Sequence, residues 1–210
     1  MYELTDVLPD AELAPGTNVL IAGGSLSANR RVALDFLASG AERGEGSIVV
    51  TAEDSAEKML DEFSTRLDGV DPVDVGVVDC VSSNRGVGEV TDDAHVKYAS
   101  SPVDVTDIGV TLSEFLEEFS EGRGHERNRV LLHSVSTLLL YSDLQTVFRF
   151  LHVFTGRVQS ADGLGVYVID STAHDEQTLN TLRQLFDAVV EVTETEGDGP
   201  KLDTTGISTR

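Results

Sequence analysis

Residues Val19–Arg31 read VLIAGGSLSANRR. Four apolar residues, two glycines, and a helical apolar pattern continuing through Val32, Phe36 and Leu37 describe a strand, a tight turn and a helix start. That order sets backbone N–H groups at a helix N-terminus, where an anion is stabilised. Gly23, Gly24, Ser25, Ser27, Asn29, Arg30 and Arg31 are therefore the candidate nucleotide- or anion-binding residues. The competing reading is a plain strand-to-helix turn with two solvated arginines.

Working outward, residues 1–16 form a leading arm that ends at the turn Pro15-Gly16. The helix after the glycine turn is expected to stop near Ser39-Gly40, and SIVVTA (Ser47–Ala52) is a second buried strand. Asp54 and Glu57 have the spacing of a capping box, ahead of a stripe of Met59, Leu60, Phe63 and Leu67 that Asp71-Pro72 breaks. VDVGVVDCV, around Val73 to Val81, is a third strand. Ser82 to Ile108 is the least regular stretch, rich in turn formers. Thr111 and Glu114 suggest a further capping box, GRGHERN a polar linker, and the densest basic stretch, RGHERNR (Arg123–Arg129), interrupted by Glu126, a solvated linker. RVLLHSVSTLLL begins as a buried strand at Arg129, Asp143 caps a long amphipathic helix, GLGVYVID is a strand, and Asp175 opens another helix. AVVEVTE is the last strand, with PKLDTTGIS placed to pair with it. Strands alternating with helices predict a single α/β domain over residues 17–195, with a mostly parallel sheet covered by helices on both faces and a tail at 196–210.

The net charge of −22, with only Lys58, Lys97 and Lys201 as lysines and acidic residues spread throughout, argues against binding to nucleic acid or anionic membranes. It fits a protein held soluble in concentrated salt, where charges are screened within ~3 Å at 1 M; the balance resembles cytoplasmic proteins of salt-loving archaea. Cys80, the single cysteine, lies in an apolar run and reads as core. The N-terminus has no signal-peptide pattern and no run nears the ~20 apolar residues of a membrane span, so a cytoplasmic location is expected. His95, His125, His152 and His174 show no ligand spacing, and no metal site is expected.

Three stretches together resemble the RecA-like P-loop ATPases, in the branch of KaiC, GvpD and the archaellum ATPases. VLIAGGSLSANRRVALDFLASGAERGE is similar to that branch's P-loop, helix and following turn; SIVVTAEDSAEKML to its second strand with an acidic pair; and RNRVLLHSVSTLLLYSD to its Walker B strand. The likeness runs over about residues 13–195 and implies a RecA-like fold. A P-loop follows G-x-x-x-x-G-K-[ST], with lysine on the outer phosphates and the hydroxyl on magnesium. Here Gly23 matches the first glycine, Ala28 stands for the second, Asn29 for the lysine, Arg30 for the hydroxyl residue, and Leu26 for a further glycine. His133 stands where the family's Walker B aspartate would be, and a neutral imidazole is a poor ligand for a hard cation. Glu53 and Asp54 match the acidic pair, so they are the family-equivalent catalytic carboxylates, although Asp54 is also accounted for by capping.

The resemblance thus implies a non-hydrolysing member that works as a regulatory or scaffold protein through protein contacts, with a partner or a ring of its own subunits meeting across the P-loop face. No cofactor is expected, although ATP with magnesium is the family's ligand. Two alternatives stand beside it. One is an active or nucleotide-dependent ATPase of recombination or signalling, with Arg30, Arg31 or a neighbouring subunit replacing the lysine. The other is a DNA-binding accessory protein.

Overall fold

The computed structural model describes residues 1–67, 74–82, 95–102, 104–195 and 199–207. Its centre is an eight-stranded sheet. The chain begins with a short antiparallel pair, β1 (Tyr2–Glu3) and β2 (Glu12–Leu13). It then runs β3 (Asn18–Gly23), α1 (Leu26–Ala41), β4 (Gly46–Thr51), α2 (Ala56–Ser64), β5 (Val75–Asp79) and β6 (Val96–Tyr98). Next come α3 (Val105–Glu117), continued by a π-helical turn at Glu118–Gly122, then β7 (Asn128–His133), α4 (Val135–Tyr141) and α5 (Leu144–Ser160). The chain closes with β8 (Leu164–Asp170), α6 (Glu176–Arg183), β9 (Ala188–Thr193) and β10 (Lys201–Thr205).

The strand order is β10-β9-β3-β8-β7-β4-β5-β6, every neighbour pair being parallel except β10 against β9. The alternation within each strand explains why the sheet needs cover on both sides. Val19 and Ile21 of β3 face one core, with α1, α2 and the N-terminal hairpin; Leu20 and Ala22 face the other, with α3, α4, α5 and α6. The expected α/β architecture of one domain with a mostly parallel sheet is what the chain adopts.

Several local expectations are corrected. The segment 1–16 is no free arm: Tyr2, Leu4, Leu8, Ala11 and Leu13 are buried against α1 and the sheet. Helix α1 runs through Ser39-Gly40 to Ala41, and Gly40 is needed for close approach, since a Cβ there would sit 2.4 Å from Nε of Arg129. Ser55, not Asp54, caps α2 by accepting from the Lys58 N–H. Thr111 lies inside α3, which Asp104 caps instead, because Asp104 already satisfies the Asp107 N–H seven residues before Glu114 can act. The stretch from Ser82 to Ile108 holds β6 and the first turn of α3; its residues 83–94 and 103 lie outside the described residues, as do the break at Asp71-Pro72 and Val73. Asp143 and Asp175 cap α5 and α6 as expected, and β10 pairs with β9.

Arg129 overturns the solvated reading of its basic stretch. It is fully buried at the start of β7 and ion-paired to buried Glu45 through Nε at 2.6 Å. Its other N–H groups reach the Phe36 carbonyl, Ser39 Oγ at 2.9 Å and the Glu3 carbonyl at 2.9 Å, and its guanidinium faces the Tyr2 ring. Burial of a guanidinium is tolerated only where, as here, every nitrogen finds an acceptor. The cluster locks the N-terminal hairpin, α1 and β7 together at the edge where the parallel strands begin.

Candidate functional site

The candidate residues gather at the opposite edge, where the parallel strands end. Register fixes this: Gly23 pairs with Asp170 and Val192, and Thr51 with His133 and Asp79. In an open α/β sheet this carboxyl edge is where ligands bind.

The glycine turn is filled from within. Asn29 is wholly buried, and its Nδ2 donates to the Gly23 and Ile169 carbonyls, both at 3.0 Å. It therefore ties the first turn of α1 to the ends of β3 and β8. Gly23 is glycine because a Cβ would come within 2.4 Å of both Asn29 Oδ1 and the Val192 carbonyl. Gly24 lies against Thr172, whose Oγ1 and N–H are held by Asp170. Ser25 caps α1 and donates to Glu194 Oε1 at 2.7 Å, with Ser27 Oγ 3.1 Å away. A carboxylate thus already faces the N-terminus of α1, the place the helix dipole would offer to an anion.

Arg30, largely buried, turns the other way. Its guanidinium is ion-paired to Asp54 and to Glu62 and touches Met59 Sδ at 3.2 Å. Asp54 also receives Lys58 Nζ at 2.6 Å. Burial pushes the Asp54 carboxyl up, but the hydrogen bonds from Lys58 and Arg30 outweigh it and bring it below the usual range. Arg31 is exposed and points into a hollow of about 420 Å³ shared with Ser27, Ala28, Glu194 and Thr195.

His133 ends β7 with no exposed surface, and neither ring nitrogen has a hydrogen-bond partner among the described residues. Burial holds its pKa down at about 4, with repulsion from Arg30 and Lys58 added and attraction from Asp54 partly opposing them. Glu53 Oε2 stands 4.0 Å from Nδ1. The residue after His133, Ser134, has φ 78°, a left-handed conformation costly for a non-glycine residue, and its Oγ caps α4 through the Thr137 N–H at 3.1 Å. Asp79, at the end of β5, is saturated by the N–H groups of Ala56, Val81 and Ser82 and by Ser82 Oγ.

The structure therefore brings Arg30, Asp54, Glu53 and His133 into one cluster, and places Asn29 with Gly23 in a second beside it. Arg31 joins neither. Sequence reasoning missed Lys58, Glu62 and Glu194. Asp54, Lys58 and Glu62 recur every fourth residue with alternating sign, a pattern that marks one charged face of a helix and was there to find. Glu194 reaches Ser25 only because β9 lies beside β3, which no local signal reveals. Among the described residues no group of His, Cys, Asp and Glu is arranged to hold a metal ion.

A family model of unknown function, DUF7504, matches residues 16–192. The chain belongs to the DUF7504 family. Among curated proteins none matches the sequence. The solved structures similar to this DUF7504 chain include an uncharacterised protein, PH0321, from Pyrococcus horikoshii in complex with an unknown peptide. The two share 14% identity over 92% of this chain and 84% of that one, with a TM-score of 0.70. A KaiC-like protein, PH0186, from Pyrococcus horikoshii OT3 is also 14% identical, covering 98% of this chain and 84% of its own, with a TM-score of 0.61. The DUF7504 chain thus has the RecA-like fold of a KaiC-like protein. Among the described residues no helix is long and apolar enough to cross a membrane.

Proposed function

We propose that this chain is a non-hydrolysing RecA-like protein that acts as a regulatory or scaffold element through protein contacts. The observation that carries the reading is Arg30: the residue at the magnesium-hydroxyl position is a cation already ion-paired to Asp54 and Glu62. The other two positions support it. Asn29 uses both its N–H bonds on strand-end carbonyls and has no ammonium to offer a phosphate. His133 is buried and uncharged at neutral pH, where a metal site would need a hard oxygen ligand. Glu194, hydrogen-bonded to Ser25, further disfavours a polyphosphate by like charge. This donor set does not fit magnesium with a nucleotide, and phosphoryl transfer depends on that positioning. The protein-contact half of the reading is supported by PH0321, a protein of similar fold whose structure holds an unknown peptide.

The test is a calorimetric titration of Mg-ATP in molar KCl, with phosphate release followed in parallel. The expected result is no micromolar binding and release equal to buffer. Micromolar binding with turnover that Glu53→Gln abolishes would overturn the reading and favour an active ATPase.

A further inference from the structure

Large apolar side chains exposed among the described residues are Met1, Val110, Leu140, Tyr141 and Val153. All but Met1 lie on α3, α4 and α5, which cover the same face of the sheet. Between α3 and α5 runs a groove of about 290 Å³ lined by Val105, Gly109, Phe150, Val153 and Phe154. It continues past Val153 into a hollow beside Ser113 and Gly156. Small residues at 109 and 156 leave the trough open, and Val153 stands at its crest, 55% exposed.

Charge singles out the same groove. Among the described lysines and arginines, only Arg31, Arg149 and Arg157 have no carboxylate within 4.0 Å, in a chain of net charge −22. Two of these three line the groove. Arg149, Val153 and Arg157 recur every fourth residue along α5, so the two guanidinium stems rise from one stripe roughly 12 Å apart, at 1.5 Å per residue. Arg157 is held in place through Nη1, which donates to the Gly109 carbonyl at 3.0 Å and to Ser113 Oγ. Its remaining N–H groups have no acceptor among the described residues.

We propose that the α3–α5 groove docks an acidic amphipathic helix of a partner protein. The partner's apolar stripe lies over Val153 and Val105, and two of its carboxylates, about eight residues apart, meet Arg149 and Arg157. The proposal rests on the reading that the chain works through protein contacts, but its groove lies on helices apart from the cluster of Arg30 and His133. Charge complementarity selects the occupant: an apolar trough flanked by two arginines with no carboxylate within 4.0 Å, Arg149 only more distantly attracted to exposed Asp143, favours carboxylates and rejects lysines.

The experiment uses the full chain as bait for a displayed library of random helical peptides, with the double variant R149E/V153E as counter-bait. Both substitutions are on outward positions of α5, and circular dichroism with a thermal melt checks that the variant folds. Enrichment of peptides that carry an apolar stripe and paired acidic residues is expected, with roughly tenfold weaker binding to R149E/V153E and to peptides whose acids are replaced by lysine. Enrichment of basic or uncharged peptides, affinity indifferent to the variant, or no enrichment above the counter-bait would overturn the proposal. So would a dimer in light scattering that R149E/V153E dissolves, since the groove would then belong to a second copy. Failure here leaves the Mg-ATP titration unaffected, and micromolar Mg-ATP binding with turnover that Glu53→Gln abolishes would sink the non-hydrolysing reading without touching the groove.

Discussion

Acidification should destabilise the chain through His133 over a defined window. Folded, its pKa is held down at about 4; unfolded, it returns to 6.5. The folded value is the lower, so the unfolded chain takes up the proton first. Above pH 6.5 both states are neutral and the histidine contributes nothing to pH dependence. As pH falls below 6.5 the fold loses about 1.4 kcal/mol per pH unit, and the loss levels off near pH 4. The full effect is roughly 3 kcal/mol, a large part of the ~5–15 kcal/mol that holds a typical domain. Asp54 works in a separate window: its lowered pKa gives stability above 3.8 that is lost as pH falls through the folded value. The assay is urea unfolding at several pH values between about 4.5 and 7.5, for the wild type and for His133→Asn. The wild type should lose stability relative to the variant by about 2–3 kcal/mol across that range. Parallel pH profiles, or a His133 ring that titrates near 6.5 in the folded protein by NMR, would refute the reasoning.

The remaining predictions concern packing and charge. Arg129→Leu leaves buried Glu45 with only the more distant Arg127, at 3.9 Å, and should cost about 3–5 kcal/mol, seen as a melting point lower by roughly 6–20 °C; the double change of Glu45 and Arg129 to Met should cost less. Gly23→Ala forces a methyl into Asn29 Oδ1 and the Val192 carbonyl and should destabilise by about 1–3 kcal/mol in denaturant melts. Asn29→Leu keeps the volume but removes the Nδ2 bonds to the Gly23 and Ile169 carbonyls, the former keeping the Ser171 N–H at 3.0 Å, with an expected loss of about 1–2 kcal/mol. Raising KCl from about 0.1 M to about 2 M should raise the denaturation midpoint, since screening relieves self-repulsion at net charge −22; a midpoint that falls with salt would contradict this.

The architecture was legible because the buried parallel strands are short runs of Val, Ile and Leu that need no long-range information to be recognised, as in VLIA and SIVV. Caps written in local residue types, Asp143 and Asp175, were legible for the same reason. Asp54 was misread because two adjacent residues, Asp54 and Ser55, both suit a cap; the choice fell to Ser55 once tertiary packing gave Asp54 to Arg30. Arg129 was misread because burial of an arginine depends on four acceptors from three separate segments, the Glu45 carboxylate, the Ser39 hydroxyl and Phe36 carbonyl of α1, and the Glu3 carbonyl, and none of these is visible from RGHERNR. Strand β6 is three residues long and, among the described strands, pairs with β5, so its VKY carries too little periodicity to stand out from the turn formers before it.

On the proposed non-hydrolysing reading, Asn29, Arg30 and His133 at the carboxyl edge act together rather than one by one. A phosphate loop that binds no ligand leaves three charges or dipoles unanswered: the N-terminus of α1, the carboxylate of Asp54, and the strand-end carbonyls beneath the turn. In this chain each has an internal partner. Glu194 faces the cap of α1 through Ser25, Arg30 and Lys58 answer Asp54, and Asn29 Nδ2 answers the carbonyls of Gly23 and Ile169. His133 completes the set, because a third carboxylate beside Asp54 and Glu62 would compete for the same guanidinium, whereas a neutral ring in a buried position asks for no counter-ion. On the proposal made here, the substitutions are therefore coupled: returning lysine at 29 alone would bring a second cation beside Arg30, and returning aspartate at 133 alone would bury a charge. A double-mutant cycle between Asn29→Lys and His133→Asp measures that coupling, with the pair expected to cost less than the sum of the singles by about 1 kcal/mol or more. Strict additivity would mean that the two positions changed independently and that the cluster is not a unit.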